Sequence, residues 1–145
     1  MNPSFVWWLS CQAYQHQWVY IARFLKTINF VLFHTVLPYR AEIKQDVNLK
    51  HYGIGIVIHP NVTIGHRVTI HQNVTLAAET WIGSPHRIVI EDDVMIGAGA
   101  VVIGHGDRTL TIRKGAKVGA NAVVTHDVLP NTTVVGVPAR PLLPK

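Results

Sequence analysis

An aliphatic residue returns at every sixth position over most of the chain beyond residue 40. The segments IHPNVT, IGHRVT and IHQNVT fill residues 58–75, IEDDVM and IGAGAV fill 90–101, and IRKGAK, VGANAV and VTHDVL fill 112–129. A flat amphipathic sheet would instead alternate at every second residue. A six-residue period favours a short strand followed by a bend, so that three units close one triangular coil.

Small and turn-forming residues occupy many of the positions between the aliphatic ones. Gly, Asn and Asp tolerate the tight bends that such a coil needs at its corners. Stacked coils bury the aliphatic residues as a ladder and supply one another's backbone hydrogen bonds. The sequence therefore predicts a fold of the β class, a hexapeptide-repeat solenoid, over residues 38–145.

The first 37 residues have a different character. Apolar residues recur there at helical spacing, and Pro38 disfavours helix at the residue before it. We predict a short N-terminal α-helical segment of one or two helices over residues 1–37. Two roles are open for it. It packs against the solenoid or another subunit, or it contacts a membrane surface through residues 5–33, where Trp, Tyr, Arg and Lys mix with bulky apolar residues.

Composition restricts the partners and the location. The formal net charge is +5, but Lys and Arg form no run, so nucleic acid is not an expected partner. Polar and basic residues interrupt the apolar N-terminal stretch before it reaches the length of a membrane span, and no basic region precedes it as in a signal peptide. The lone Cys11 excludes an internal disulfide and fits a reducing compartment. We expect a cytoplasmic protein, with a membrane-peripheral location as the alternative.

Three segments carry a resemblance to a known family: IGAGAVV at 96–102, GAKVGANAVVTHDV at 115–128 and NTTVVGVPAR at 131–140. With the repeat, they resemble the hexapeptide-repeat acyltransferases, and most of all the serine acetyltransferase group with its polysaccharide-modifying relatives. The resemblance covers residues 37–142. It implies a left-handed parallel β-helix that forms a homotrimer. It also implies transfer of an acetyl group from acetyl-CoA to a hydroxyl of an exopolysaccharide or capsule sugar, or of serine.

The resemblance implies a histidine base shortly after an aliphatic residue, since imidazole has a pKa suited to taking a proton from a hydroxyl. Leu49 is that aliphatic residue here, and His51 takes the place of the base at the start of an irregular bend. The bend is one residue longer than in serine acetyltransferases, so counting backward from Ile58 selects Tyr52 instead. His59 directly follows Ile58, and we interpret it as an ordinary turn residue.

Two further predictions concern the surroundings of the base. The aspartate that orients it in serine acetyltransferases corresponds to Val36, which leaves Asp46, Glu42 or a backbone carbonyl for that role. The break in the repeat at residues 79–89 places His86 near a substrate-side histidine of the family. We therefore predict a catalytic role for His86, as a substrate-binding or acid–base residue.

The resemblance also implies a coenzyme A site along the edge of the coils. Two glycines of the family's acyl site are alanines here, and the short N-terminal segment is more similar to sugar-modifying relatives. A strict specificity for serine is therefore in doubt. The residues predicted to contact the cofactor are Ala77, Ala78, Ala98, Gly99, Ala116, Lys117 and Arg140.

Two other functions are compatible with the same repeat. One is a non-catalytic scaffold or binding subunit of a polysaccharide-assembly complex, which the missing aspartate and glycines favour. The other is a γ-class carbonic anhydrase, suggested by the nine histidines. The zinc-ligand spacing of that family is not found, so no metal is expected.

Overall fold

The computed structural model describes residues 1–143 as two short helices followed by a solenoid of short strands. The helices are α1 (Pro3–Gln15) and α2 (Val19–Phe33). The strands are β1 (Glu42–Ile43), β2 (Asn48–Leu49), β3 (Val57–Ile58), β4 (Val62–Ile64), β5 (Thr69–Ile70), β6 (Thr75–Ala78), β7 (Ile88–Ile90), β8 (Met95–Ile96), β9 (Val101–Gly104), β10 (Leu110–Ile112), β11 (Lys117–Val118), β12 (Val123–Val124), β13 (Thr133–Val135) and β14 (Arg140–Pro141).

The strands form three sheets, one for each face of a triangular solenoid. Sheet A has the order β12-β9-β6-β3, sheet B the order β1-β4-β7-β10, and sheet C the order β14-β13-β11-β8-β5-β2. All pairs are parallel except β13 with β14. From β1 to β12, successive strands along the chain visit B, C and A in turn, so three strands complete one coil; β13 and β14 then both lie in sheet C. The predicted fold class, a parallel β-solenoid with a short N-terminal helical segment, is confirmed.

Three edges join the sheets, and each is a column of bends stacked from coil to coil. The B–C edge comprises residues 44–47, 65–68, 91–94 and 113–116; the C–A edge comprises 50–56, 71–74, 97–100 and 119–122; and the A–B edge comprises 59–61, 79–87, 105–109 and 125–127. Two long segments interrupt the six-residue repeat, at 79–87 and 105–109, and both lie on the A–B edge.

The aliphatic residues that define the repeat fill the interior, as the six-residue period predicts. The first position of each unit and the fifth both point inward. The members with at most 1% exposure include Ile64, Val68, Ile70, Val74, Leu76, Ile90, Val94, Ile96, Ala100, Val102, Ile112, Ala116, Val118, Ala122 and Val124. Large residues at the first position alternate with smaller ones at the fifth, which lets the coil stay narrow.

Helix α1 closes the N-terminal end of this core. Asn2 caps it by accepting a hydrogen bond from the Ser4 amide at 2.9 Å. The buried Trp7 indole donates to the carbonyl of Pro38 at 2.9 Å, and the Ser4 hydroxyl accepts from the backbone amide of Leu49 at 3.0 Å. Trp7 thereby joins the same apolar cluster as the coils. The boundary between a helical segment over residues 1–37 and a solenoid over residues 38–145 stays a prediction. Pro144 and Lys145, at the end of the predicted solenoid, lie outside the described residues.

Two neighbouring side chains on β8 test this inward–outward register. We expect Ile96→Ala to lower the free energy of unfolding by about 2–5 kcal/mol, because it leaves a cavity in the core. Met95→Ala, one residue earlier and facing outward, is the matched control and changes stability by less than about 0.5 kcal/mol. Urea unfolding of both variants measures the difference. Equal losses in the two variants would contradict the register.

Candidate functional site

The bend that carries His51 is enlarged by residues in the left-handed backbone region. His51, Tyr52 and Gly53 have φ values of 52°, 56° and 68° within a 3₁₀ turn at Lys50–Gly53. His51 and Tyr52 are not glycines, so each adopts this conformation at a cost of about 1–2 kcal/mol. The buried Gly53 has no such cost, and a Cβ there would lie 3.2 Å from Cδ1 of Leu49. The turn directs the exposed His51 outward on the C–A edge.

Aromatic contacts hold this turn from two sides. The Tyr52 ring stacks on Phe33 of α2 at 6.1 Å between centroids, with the planes 6° apart. The His51 ring lies 6.3 Å from that of His71, one coil further along the same edge. A shallow pocket beside His51 is lined by the start of α1, Met1 to Pro3, together with the turn itself. His51 is therefore accessible to a ligand and carried by a defined turn.

Neither of the carboxylates predicted to orient His51 does so. Asp46 Oδ2 lies 3.1 Å from Nδ1 of His66 on the B–C edge. Glu42 Oε1 lies 3.2 Å from Nη1 of Arg87, on sheet B. Proximity in sequence misled this prediction, because the chain turns from the B–C edge to the C–A edge between these residues and His51. Among the described residues, no side chain forms a hydrogen bond with the His51 ring.

The loop 79–87 on the A–B edge is held by the side chain of Asn61, which is only 4% exposed. Its amide nitrogen donates to the carbonyls of Trp81 at 2.8 Å and His86 at 3.4 Å. Its amide oxygen accepts from the backbone amide of Gly83 at 3.0 Å. One side chain thus fixes three points of a loop that departs from the repeat. Sequence reasoning missed this residue, since Asn61 looks like one more turn asparagine.

His86 is half-buried at the base of this loop, where its amide donates to the hydroxyl of Ser84 at 3.1 Å. His51 and His86 lie on different edges of one chain, with sheet A between them. A strand of four residues such as β6 spans roughly 13 Å at about 3.3 Å per residue. A single chain therefore does not bring the two predicted catalytic histidines together.

His59 lies on the A–B edge just before Asn61. Its Nδ1 accepts the backbone amide of Asn61 at 3.0 Å, so the neutral ring carries its proton on Nε2. Partial burial lowers the pKa of His59 below its usual value. The interpretation of His59 as a turn residue agrees with this contact, which holds the bend that precedes β4.

The residues predicted to contact the cofactor are spread over two sheets and the edge between them. Ala98 and Gly99 lie on the C–A edge, one coil beyond His71, and Gly99 has a φ of 69°. Ala77 and Ala78 end β6 on sheet A, while the exposed Lys117 and Arg140 lie on sheet C. These six residues all have some surface on the outside of the solenoid.

Ala116 does not fit its predicted role. Its side chain is fully buried in the core. Its amide donates to the carbonyl of Arg113 at 3.1 Å, and its own carbonyl accepts from the amide of Met95 at 3.1 Å. Ala116 occupies the inward fifth position of its repeat, which leaves it no surface for a ligand.

His71 is a second residue whose place beside the candidate base is not evident from the sequence. It directly follows Ile70 in the unit IHQNVT. The strand register pairs Leu49 with Ile70, so His71 begins the bend of the next coil on the C–A edge, beside the turn that carries His51.

Two other types of chemistry find no support in the described residues. Within residues 1–143, no group of three or more His, Cys, Asp or Glu side chains is arranged to hold a metal ion. Burial raises the pKa of the Cys11 thiol to about 12, so this side chain is a poor nucleophile. Its sulfur lies 3.7 Å from the carbonyl oxygen of Pro38 at the helix–solenoid junction.

Proteins of known function match both the sequence and the fold, although no protein-family model matches the chain. The serine acetyltransferase of Bacillus subtilis is 33% identical over 127 residues, 88% of this chain and 56% of the relative. That of Escherichia coli K12 is 38% identical over 120 residues, 83% of this chain and 42% of the relative. The chain thus spans about half the length of the curated relatives it matches.

Solved structures extend the match over the helices. A Neisseria gonorrhoeae serine acetyltransferase in complex with serine has a TM-score of 0.81 and 31% identity, covering 94% of this chain and 54% of its own. A Brucella abortus serine acetyltransferase in complex with coenzyme A has a TM-score of 0.83 and 26% identity, covering 94% and 53%. The chain belongs to the serine acetyltransferase-like family of hexapeptide-repeat proteins. The resemblance seen in the sequence of residues 37–142 is thereby confirmed.

We expect Asn61→Ala to release the loop 79–87. Three hydrogen bonds disappear, each contributing about 1 kcal/mol, so amide exchange in this loop should become at least tenfold faster. Hydrogen–deuterium exchange with peptide resolution measures this. Asn48→Ala, at an exposed asparagine on β2, serves as the control. Unchanged protection of residues 79–87 in Asn61→Ala would show that the loop is held by other contacts.

The lowered pKa of His59 predicts a pH dependence of stability. The unfolded chain binds more protons than the folded one between the folded pKa of His59 and its ordinary value of about 6.5, so stability is lost as pH falls through that window. His59→Asn keeps an acceptor for the Asn61 amide but cannot titrate. We expect its urea midpoint to fall less than that of the wild type between neutral and mildly acidic pH.

An exposed histidine supplies the control for this comparison. His16→Asn, at the end of α1, should leave the pH dependence of the wild type in place. If His59→Asn and the wild type lose stability in parallel, His59 does not contribute to the acid sensitivity.

Proposed function

We propose that the chain transfers an acetyl group from acetyl-CoA to the hydroxyl of a small acceptor, with His51 as the general base. The observation that carries the proposal is the position of His51. It is exposed on a defined turn of the C–A edge, which also carries Ala98 and Gly99, in a chain similar to serine acetyltransferases along nearly its whole length.

The chemistry requires a base because an alcohol is a weak nucleophile at neutral pH. In the proposed reaction His51 takes the hydroxyl proton as the acceptor oxygen attacks the thioester carbonyl. The tetrahedral intermediate then collapses, the carbon–sulfur bond breaks, and the thiolate of coenzyme A receives the proton from His51. Direct transfer is favoured because Cys11, the only cysteine, is buried with a raised pKa.

The exposed cations suit the phosphate groups of coenzyme A. Lys117 and Arg140 both lie on the outside of sheet C, and the Arg140 guanidinium is engaged only by the carbonyl of the adjacent Ala139, at 3.0 Å, among the described residues. Ala98 and Gly99 place no group larger than a methyl at the edge where an extended pantetheine arm would run. Backbone amides near Ala77 and Ala78, at the A–B end of β6, are proposed to stabilise the oxyanion from a second copy of the chain.

The separation of His51 and His86 supports an active site between subunits. Sheet A lies between the two histidines in one chain. For His51 and His86 to contact one substrate, the C–A edge of one copy must therefore face the A–B edge of another. A closed homotrimer provides that contact three times. We propose this assembly, with His86 on the loop 79–87 contacting the acceptor.

Serine is the first acceptor to test, and a sugar hydroxyl the second. Similarity to serine acetyltransferases favours serine. Ala77 and Ala78 stand where the family's acyl site has two glycines, and their methyl groups would leave less space near the acyl group. A polysaccharide precursor is therefore the second acceptor to be tested. The proposed location is the cytoplasm, where acetyl-CoA and both kinds of acceptor are available.

A non-catalytic scaffold is the second candidate, and one observation favours it. His51 has no carboxylate partner among the described residues, whereas a base of this type is usually oriented by one. Calorimetric titration with coenzyme A separates the two functions, since a scaffold without a coenzyme A site would show no binding heat.

We expect His51→Gln to lower kcat by about 10²–10⁴-fold, because the variant loses the base. Its KM for acetyl-CoA should change far less. Release of free thiol from acetyl-CoA, with serine and nucleotide-linked sugars as acceptors, measures both constants. His16→Gln, at an exposed position at the end of α1, should retain the wild-type rate.

Tyr52→Phe distinguishes the two ways of counting the bend. Phenylalanine keeps the stacking on Phe33 but has no hydroxyl. If His51 is the base, this variant retains most of the activity. Loss of activity in Tyr52→Phe together with normal turnover in His51→Gln would assign the role to Tyr52.

A further inference from the structure

Helix α2 presents an apolar face to the outside of the molecule. Only Ala22 and Asn29 of this helix are buried, and they lie on the side that packs against α1. Ala22 accepts a hydrogen bond from Ser10, and Asn29 donates to the carbonyl of Pro3. At 100° per residue, the opposite side carries Tyr20, Phe24 and Val31.

These outward residues are large and open. Tyr20 is 87% exposed, Phe24 64% and Val31 62%. Trp18, Ile21 and Leu32 extend the same surface and are also exposed. A single soluble subunit rarely leaves a continuous apolar strip of this kind uncovered, so the strip indicates a partner.

Positive charge borders the apolar strip on one flank. Arg23 lies there on the helical wheel, about 60° from Tyr20. Lys26 lies nearer the side that faces α1, with its Nζ 6.0 Å from the ring centroid of Tyr39. Residues 1–41 contain no Asp or Glu. The helical segment is thus apolar on its outer face and purely cationic in its ionised groups.

We propose that α2 docks the chain on an anionic lipid surface. The outer apolar residues would enter the boundary between headgroups and acyl chains, while Arg23 meets the phosphates, as in an interfacial amphipathic helix. The helix would lie on the membrane and not cross it: within the described residues, no helix is both long and apolar enough to span a bilayer.

The charges favour this occupant over a second copy of α2. A symmetric contact between two such faces would place each Arg23 at the edge of an apolar interface, with no carboxylate in the first 41 residues to pair with it. An anionic bilayer supplies that compensating charge. This proposal is independent of the acetyl transfer, and its test does not use activity.

The test is co-sedimentation of the full chain with vesicles of phosphatidylcholine alone or mixed with phosphatidylglycerol. We expect binding to the anionic vesicles that weakens as salt is raised. Phe24→Ser should reduce the partition coefficient by at least about tenfold. Arg23→Gln should reduce it by about fivefold.

Leu129→Ser is the matched control, since Leu129 is 68% exposed at the opposite end of the solenoid. It should bind vesicles like the wild type, and circular dichroism checks that all variants fold. Absence of vesicle binding by the wild type would overturn the proposal, as would equal losses in Phe24→Ser and Leu129→Ser. A change of oligomeric state in Phe24→Ser by sedimentation velocity, without vesicle binding by the wild type, would assign the face to subunit association.

Discussion

Backbone hydrogen bonds between successive coils are the interaction on which the rest of this structure depends. The amide of Gly65 donates to Ile90 and that of Gly97 to Val118, each at 2.8 Å, and the same pattern repeats around all three faces. Each position of one coil therefore stands directly above its equivalent in the next, about 4.8 Å away. Inside, this alignment builds the aliphatic ladder; outside, it builds columns of bends along the edges.

Those columns decide which side chains can cooperate. His51 and His71 are neighbours because they occupy one edge on successive coils. Asp46 is closer to His51 in sequence, yet it pairs with His66 on another edge. In a solenoid, two side chains are in contact when they lie on the same edge of neighbouring coils. Their separation along the chain is a poorer guide to contact. A site that needs groups from two edges requires a second copy.

The regular part of the fold was predictable because a six-residue aliphatic period is compatible with few folds besides a triangular solenoid. The inward positions and the breaks that become loops follow from that period, and helical spacing identified the N-terminal helices. The role of Asn61 was not predictable, since its partners lie 20 or more residues away and its own unit, IHPNVT, looks regular. Ala116 failed as a ligand contact for a related reason. The family motif drew attention to it, but the repeat register places it inward.

The turn at His51 connects the candidate site to the helical segment. Two non-glycine residues in the left-handed region make this turn costly by itself, and the stacking of Tyr52 on Phe33 offsets part of that cost. Phe33 is the last residue of α2, the helix with the apolar outer face. A displacement of α2 would therefore act first on Tyr52, the residue next to His51. The helical segment thus closes the core, supports the turn of the candidate base and exposes an apolar face.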